Sequence, residues 1–435
     1  MRVIPGEISL FDNYVDHGLW DFRGVDTKEY THCFHIYPAM MIPQIARKLI
    51  ELYGGDGTSL FDPYCGTGTS LVEGRLAGMS VAGTDLNSTA RLISNSKVEE
   101  YDENALASAI HLFSHDLELE LSKLTEDYTV FPEPSSVTFE RLEDWFPPLS
   151  ISEVSYCLQK IRSLKIEQKY RDFLLVCVSE CLRLISFQRN NEFKLYRIPE
   201  EQRPSHYVPL FGLLHNRLHR NQEGVRNLAS NVSKDTTSEV HSFNTVEENG
   251  GLFLSNATPS IVVTSPPYGD SGTTVAYAQF SWLTNVWFDL DPRSPSALDR
   301  ELMGGRRSEL KSFGFEPIDT AISAIAEEDE KRATEVMNFF EEYLASMQNV
   351  AEIVEEGGHA CYVVGNRTVK GVHLPTDQFT AWAFVEAGFE YVCTHVRDIP
   401  NKRMPSRNSP SNVAGQTSTT MHHEYIVVCK KKFDG

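Results

Sequence analysis

The chain has 435 residues, a length that fits two or three packed units better than one compact domain. Hydrophobic residues make up 41% and charged residues 23%, which is the composition of an ordinary globular protein with a real core. The formal net charge of −20 argues against a protein that coats nucleic acid through bulk charge, although it leaves room for a local basic cleft.

Neither a membrane segment nor an oxidising compartment is indicated. The sequence contains no apolar run of membrane-spanning length, and its first residues lack the basic start and apolar stretch of a signal peptide. The eight cysteines are scattered without a Cys-x-x-Cys pair, which disfavours a disulfide framework or a zinc site. We therefore expect a cytoplasmic protein without a metal.

The first hundred residues alternate between helical and strand patterns. Apolar residues at helical spacing predict a helix over 38–53, and the short apolar run at 58–62 predicts a strand. A second helix is expected at about 69–77 and a second strand at 79–85. This strand–helix–strand succession predicts a parallel sheet.

A second region with the same alternation closes the chain. We expect strands at 260–264, 359–365, 390–396 and 424–431, with helical stretches at about 316–355 and 376–387. The intervening residues include an apolar helix at 161–186 but lack the alternation. We therefore divide the chain into residues 1–100, a largely helical insertion at 101–250, and residues 251–435.

A glycine turn joins the strand at 58–62 to the helix after it. Gly66 and Gly68 let the backbone turn tightly and let a ligand approach it closely. Asp85 follows Gly68 by seventeen residues and ends the next strand, where a carboxylate can accept both hydroxyls of a ribose. Leu71 replaces the third glycine of the dinucleotide fingerprint, and the turn lacks the lysine of a P-loop. A different nucleotide-type cofactor is indicated.

The run from Asp62 to Thr69 (DPYCGTGT) resembles the cofactor loop of Rossmann-like S-adenosylmethionine methyltransferases. The resemblance implies a class I methyltransferase sheet, mostly parallel with an antiparallel last strand, and S-adenosylmethionine as the cofactor. Upstream, residues 30–39 resemble the family's motif that closes over the methionine end of the cofactor, although His35 is equally a candidate buried structural histidine. The cofactor-binding residues implied are His35, Pro38, Asp62, Tyr64, Gly66, Gly68, Thr69, Asp85 and Leu86.

The most specific feature is the tetrapeptide Ser265-Pro266-Pro267-Tyr268, which follows the strand at 260–264. It resembles the SPPY motif of methyltransferases that act on amino groups in DNA. An exocyclic amine is a poor nucleophile until acceptors on its two hydrogens orient its lone pair, and the Ser265 hydroxyl and the Pro266 carbonyl suit that role. Consecutive prolines stiffen the loop, and Tyr268 offers a ring for stacking on an extruded base. No metal is required.

Several substrates stay open at this point. Serine at the first motif position favours cytosine N4, whereas enzymes that modify adenine N6 more often have aspartate or asparagine there. An RNA base is a further alternative, although related RNA enzymes often have Asp-Pro-Pro-Tyr and an added RNA-binding domain, and neither is seen here. A catalytically inactive, cofactor-sensing DNA-binding protein is the non-enzymatic alternative, against which the intact motifs argue.

Basic residues in two segments are candidates for DNA contact. The insertion is locally basic over 183–226 in an otherwise acidic chain, and its segment 186–197 (SFQRNNEFKLYR) is our best candidate for target contact, with a solvated basic face as the alternative. The late loop 401–412 is the second. The DNA-binding residues proposed are Arg189, Lys194, Arg197, Lys402, Arg403 and Arg407. A cognate restriction endonuclease and the oligomeric state are left open.

Overall fold

The computed structural model describes residues 13–15, 18–124, 142–189, 193–249, 258–270, 275–305, 311–399, 407–408, 418–419 and 423–433. The strands are β1 (Tyr14–Val15), β2 (Ser59–Asp62), β3 (Ser80–Thr84), β4 (Ser238–His241), β5 (Ile261–Thr264), β6 (His359–Val364), β7 (Arg367–Val369), β8 (Val372–Leu374), β9 (Phe389–Asp398), β10 (Arg407–Asn408), β11 (Ser418–Thr419) and β12 (His423–Lys431). The α-helices are α1 (Pro43–Tyr53), α2 (Thr69–Leu76), α3 (Ser88–Val98), α4 (Glu103–Ser114), α5 (Leu117–Leu121), α6 (Pro148–Ser163), α7 (Gln168–Ile185), α8 (Leu210–Ala229), α9 (Tyr277–Phe288), α10 (Pro295–Glu301), α11 (Glu316–Glu328), α12 (Glu330–Ile353) and α13 (Thr376–Glu386). No helix within these ranges has the length and apolar character needed to cross a membrane.

A mixed sheet of eight strands organises the described residues. Its order is β1-β9-β12-β6-β5-β2-β3-β4. Strand β12 runs antiparallel to β6 and β9, and the other neighbouring pairs are parallel. The predicted sheet, mostly parallel with an antiparallel last strand, is therefore confirmed.

The central strands are buried on both faces because helices cover both sides of the sheet. Leu60 and Phe61 are neighbours on β2, and their side chains enter different cores, as the period of two in a strand requires. Ile261 and Val263 share the core of Leu60, against α1 and α2. Val262 points the other way, into the core formed with α11, α12 and α13. Such strands read as continuous apolar runs, which is why the sequence revealed them.

Helices α4 to α8 build a third core beside the sheet. Its residues include Phe113 of α4, Phe173 of α7 and Leu214 of α8, which pack with Ile93 of α3 and Trp287 of α9. The residues between the two α/β regions are thus largely helical. This core brings the helical region up to α9, the helix that follows the SPPY motif.

Strand β4 lies within the residues that the sequence analysis assigned to the insertion. It pairs in parallel with β3 at the edge of the sheet, so the sheet gains a strand before residue 250. Its sequence, SEVH, is mostly polar, and its residues are half-buried. An edge strand of this kind lacks the apolar run or alternation by which a strand is predicted.

Three predicted helices differ in extent from the observed ones. The apolar helix expected over 161–186 begins only at Gln168, because α6 ends at Ser163. The helix expected over 38–53 begins at Pro43, which occupies its first turn, where proline is tolerated. The stretch expected over 316–355 is two helices, since Asp329 ends α11 and caps α12 by accepting a hydrogen bond from the backbone of Arg332.

Candidate active site

One cleft with an empty volume of about 1100 Å³ lies at the carboxyl ends of β2, β3 and β5. Parallel strands present their carboxyl ends at the same edge, which is where ligands bind in open α/β sheets. The predicted site residues that line the cleft are Pro38, Asp62, Tyr64, Gly66, Thr69, Asp85, Leu86, Ser265 and Pro267. The glycine loop and the SPPY loop therefore share one cleft.

The glycine loop adopts a backbone that only glycine accepts readily. Gly66 and Gly68 have φ of 49° and 78°, in the left-handed region. A Cβ atom on Gly68 would lie 2.5 Å from the Ser94 hydroxyl, so this position also permits close packing of α2 against α3. A Cβ atom on Gly66 would meet nothing within 4 Å. The open space beside Gly66 leaves room for a ligand against its backbone.

Asp85 stands at the end of β3 beside that loop. Its Oδ2 accepts a hydrogen bond from the Gly66 N–H at 3.1 Å, and its Oδ1 accepts one from the Asn87 N–H at 2.7 Å. Burial raises the pKa of Asp85, while the hydrogen bond from Asn87 opposes that rise. Each carboxylate oxygen has a second lone pair, so Asp85 can accept ligand hydroxyls in addition.

Asp62 connects the two loops of the cleft. Its Oδ1 accepts hydrogen bonds from the Thr264 hydroxyl at 2.6 Å and from the Tyr64 N–H at 3.0 Å. Thr264 immediately precedes the SPPY motif, so Asp62 joins the end of β2 to the end of β5. Burial raises the pKa of Asp62 to about 6.

The structure adds cleft residues that the sequence analysis did not select. Asn87 donates hydrogen bonds to the Tyr37 hydroxyl at 3.0 Å and to the Ser281 hydroxyl at 2.7 Å. The Tyr37 ring stacks on Tyr277 with centroids 5.9 Å apart. Asn87 also caps α3, and the Asn-Ser-Thr sequence at that helix start was a signal available in advance. The pairing of Tyr37 with Tyr277 had no such signal.

His35 does not line the cleft. It is buried near Phe280, its Nδ1 lies 2.5 Å from the Ile36 carbonyl, and burial lowers its pKa. Its contact with a cofactor stays a prediction. Gly68 is likewise absent from the cleft lining and shapes the loop from behind.

Within the SPPY loop, Ser265 and Pro267 line the cleft, Pro266 is buried, and Tyr268 is half-buried. The Ser265 Oγ lies 3.2 Å from the Tyr268 hydroxyl. Tyr268 in turn donates a hydrogen bond to the Glu424 carboxylate at 3.0 Å. The motif is therefore held by β12 as well as by its own strand.

Cys65 lies in the glycine loop but packs inward. A Cβ atom on Gly83 of β3 would come within 2.7 Å of the Cys65 Cβ, which shows how closely the two positions approach. Burial raises the pKa of the Cys65 thiol well above its usual value. A buried, protonated thiol is a weak nucleophile, so Cys65 serves the packing of the loop.

The basic residues of the insertion separate into two kinds. Arg197 donates to the Asp144 carbonyl at 3.2 Å and lies over the Trp145 ring, so it is held within the fold. Arg189 and Lys194 are exposed. Lys402 and Arg403 lie outside the described residues, as does the side chain of Arg407.

The described residues beside these two exposed side chains pack against α9, whose first residue, Tyr277, lines the cleft. The backbone N–H of Leu195 donates to the Gln279 side chain of α9 at 3.2 Å. Phe193 is half-exposed and lies 6.1 Å from Phe280, measured between ring centroids.

Asn366, which follows β6, is bonded to Asp377. Its Nδ2 donates to the Asp377 carboxylate at 2.9 Å, and its Oδ1 accepts from the Asp377 N–H at 3.1 Å. These paired bonds attach the end of β6 to the start of α13.

The sheet order, the glycine loop after β2 and the SPPY loop after β5 define an S-adenosylmethionine-dependent methyltransferase, and S-adenosylmethionine is its cofactor. Over 437 aligned residues the chain is 34% identical to "Type II methyltransferase M.MvaI" of Kocuria varians, covering 94% of this chain and 93% of the relative. The chain therefore belongs to the type II methyltransferase family, in agreement with the resemblance carried by its SPPY motif.

Other comparisons match shorter regions or the fold. Residues 28–121 match the family described as RMKL-like, methyltransferase domain. A tRNA (guanine(10)-N2)-dimethyltransferase of Methanothermobacter thermautotrophicus is 42% identical over 52 residues, 12% of this chain and 16% of that protein. A solved SAM-dependent methyltransferase of Methanosarcina mazei aligns with a TM-score of 0.31 and 10% identity, over 92% of this chain and 100% of that one.

Proposed function

We propose that this protein methylates the N4 amino group of cytosine in DNA. The observation that carries the proposal is the shared cleft, in which Ser265 and Pro267 line the same cavity as Gly66 and Asp85. Serine at the first motif position favours cytosine N4, and adenine N6 is the alternative target. Full-length similarity to a type II methyltransferase supports DNA as the substrate.

The cleft residues fit the cofactor by their chemistry. Asp85 offers carboxylate lone pairs for ribose hydroxyls, the backbone beside Gly66 is open, and Met40, Met41 and Leu86 supply apolar walls. Bound there, S-adenosylmethionine supplies a methyl group on a positively charged sulfur that leaves as a neutral thioether. Asp85 and the glycine loop would hold the nucleoside end of the cofactor, in the same cleft that Ser265 lines.

The SPPY loop acts on the amino group. The Ser265 hydroxyl and the Pro266 carbonyl accept hydrogen bonds from its two N–H groups and so orient the nitrogen lone pair toward the cofactor. Because Pro266 and Pro267 have no N–H and a restricted φ, the loop keeps its carbonyls in place. This chain needs no strong general acid, since the departing thioether carries no negative charge.

A base must leave the double helix to reach such a cleft. Tyr268 supplies an aromatic ring for stacking on the extruded base, and its hydroxyl bond to Glu424 fixes the orientation of that ring. Arg189 and Lys194, which are exposed, are the proposed phosphate contacts. The family name of the relative is our ground for proposing a cognate restriction endonuclease as a partner.

One assay tests the proposal. The protein is incubated with methyl-labelled S-adenosylmethionine and either genomic DNA or total RNA, and the modified nucleoside is identified by mass spectrometry. We expect N4-methylcytosine in DNA. N6-methyladenine in DNA would support the alternative target, label in RNA alone would overturn the DNA assignment, and cofactor binding without transfer would overturn the enzymatic one.

A further inference from the structure

Glu424 lies one hydrogen bond away from the catalytic loop, although it is 159 residues beyond Ser265 in the sequence. It stands on β12, next to Arg397 on the neighbouring strand β9. Its Oε1 accepts a hydrogen bond from the Tyr268 hydroxyl at 3.0 Å, and its Oε2 accepts one from Arg397 at 2.7 Å. The Tyr268 hydroxyl also lies 3.2 Å from the Ser265 Oγ. Four side chains thus form one connected row that ends at the cleft.

The ion pair at the far end of the row is well shielded. The Arg397 side chain is 3% exposed and that of Glu424 is 17% exposed. Within the described part of the chain, the Nε and Nη2 atoms of Arg397 have no hydrogen-bond partner. The guanidinium of Arg397 is therefore directed at Glu424, and the two side chains form a shielded ion pair.

The direction of each hydrogen bond in the row follows from the atoms involved. An ionised carboxylate can only accept, so the single hydrogen of the Tyr268 hydroxyl is committed to Glu424. Toward Ser265 the phenol oxygen can then only accept. The Ser265 hydroxyl hydrogen points at Tyr268, and the lone pairs of the Ser265 oxygen are left for the cleft.

We infer that Glu424 is a positioning residue that makes Ser265 a hydrogen-bond acceptor toward the target base. The inference rests on the proposed function, because an acceptor at Ser265 is what an N–H of an exocyclic amine requires. The arrangement would also discriminate between bases. Uracil and thymine have a carbonyl oxygen in place of the amine, and that oxygen would face the lone pairs of the Ser265 hydroxyl. A hydroxyl free to rotate would turn its hydrogen toward such a carbonyl and accept either group.

Two substitutions and their combination test the inference. Glu424→Gln keeps the shape and offers an amide N–H to the Tyr268 oxygen, which frees the phenol hydrogen for Ser265. Tyr268→Phe removes the intermediary. We expect Glu424→Gln to slow single-turnover methylation of DNA by about tenfold or more, with cofactor affinity by calorimetry unchanged. In the Tyr268→Phe background the same change should slow the reaction by less than about twofold, because no intermediary remains.

Base discrimination supplies a readout that a purely structural role would not change. We expect the wild-type protein to bind a duplex with uracil in place of the target cytosine more weakly than the cytosine duplex. In Glu424→Gln the ratio of the two dissociation constants should fall by about threefold or more. Glu390→Gln, the same substitution at an exposed position of β9, is the matched control and should leave the rate and both affinities unchanged.

The outcomes separate this inference from the proposed function. Equal slowing by Glu424→Gln with and without the Tyr268 hydroxyl would overturn it, because Glu424 would then act through the stability of the β9–β12 pair. If the wild-type protein methylates DNA and the Glu424→Gln variant is equally active, the inference about Glu424 is also overturned, while the proposed function stands. A wild-type protein that transfers no methyl group to DNA would instead remove the proposed function.

Discussion

The backbone N–H of Gly66 lies 3.1 Å from the Oδ2 of Asp85, so the glycine loop after β2 is bonded to the end of β3. The two strands are parallel neighbours in register, with Asp62 of β2 opposite Gly83 of β3. Asp85 therefore holds the loop in shape while presenting its remaining lone pairs to the cleft. One carboxylate thus maintains the geometry of the loop, and we propose that it also binds the cofactor.

Replacing this carboxylate should weaken cofactor binding. We expect Asp85→Asn to raise the dissociation constant of S-adenosylmethionine by about tenfold or more, because charge-assisted hydrogen bonds are removed and an amide N–H faces the donors of Gly66 and Asn87. Isothermal titration calorimetry measures the change. Asp56→Asn, at an exposed loop position, is the control. Unchanged affinity in Asp85→Asn would remove this residue from the binding site.

The hydroxyl of Ser265 should affect chemistry more than binding. We expect Ser265→Ala to slow single-turnover transfer on the order of tenfold or more, since one acceptor for the amine is missing in the transition state. Affinities for DNA and cofactor should change by less than about twofold. Rapid-quench measurements with the DNA substrate provide the rate, and Ser163→Ala, at the exposed end of α6, is the control. A wild-type rate would show that the hydroxyl is incidental.

The basic residues of the insertion should differ in their effects. We expect Arg189→Ala combined with Lys194→Ala to weaken DNA binding and to reduce the slope of log K against log salt by about one for each phosphate that the protein no longer neutralises. Arg197→Ala should instead lower the urea midpoint of unfolding, because Arg197 is bound to Asp144. Fluorescence anisotropy of labelled DNA over a salt series measures the effect on binding, and urea unfolding measures the effect on stability. Lys165→Ala, exposed between α6 and α7, is the control, and a slope unchanged by the double variant would exclude a role of these two side chains in phosphate binding.

The buried ammonium group of Lys97 should lower the free energy of unfolding at neutral pH. Its side chain is 1% exposed, its Nζ lies 3.4 Å from the Thr67 hydroxyl, and burial lowers its pKa to about 8. Since the unfolded chain binds this proton up to about pH 10.4, stability should rise with pH between roughly 8 and 10. At pH 7, Lys97→Met should therefore stabilise the fold, by on the order of 3 kcal/mol.

Urea unfolding of the wild type and of Lys97→Met at pH 7 and pH 10 checks this expectation. The difference in unfolding free energy should be largest at pH 7 and should shrink at pH 10, where the folded lysine is neutral. A difference that is equal at both values of pH would mean that the ammonium group is not penalised by burial.

Both motif loops were predictable because each depends on backbone chemistry that few residues supply. Gly66 and Gly68 adopt left-handed dihedral angles, and Pro266 and Pro267 remove two hydrogen-bond donors. The residue types themselves therefore indicate the backbone conformation of each loop. Strand β4 and the division of the predicted helix at Asp329 were not predicted. A half-buried polar edge strand and a helix cap within a continuous apolar pattern both depend on neighbours that the local sequence does not contain.

The sequence by itself determined the class of sheet, the glycine loop and the SPPY tetrapeptide, since short-range periodicity and special backbone residues carry that information. Only the tertiary structure decided which side chains complete the site. Glu424 of β12 accepts a hydrogen bond from Tyr268 of the SPPY loop, and Arg397 of β9 pairs with Glu424. Asn87 and Tyr37 line the same cleft and are joined by a hydrogen bond. Their roles depend on contacts between residues far apart in the chain, and no local pattern specifies such contacts.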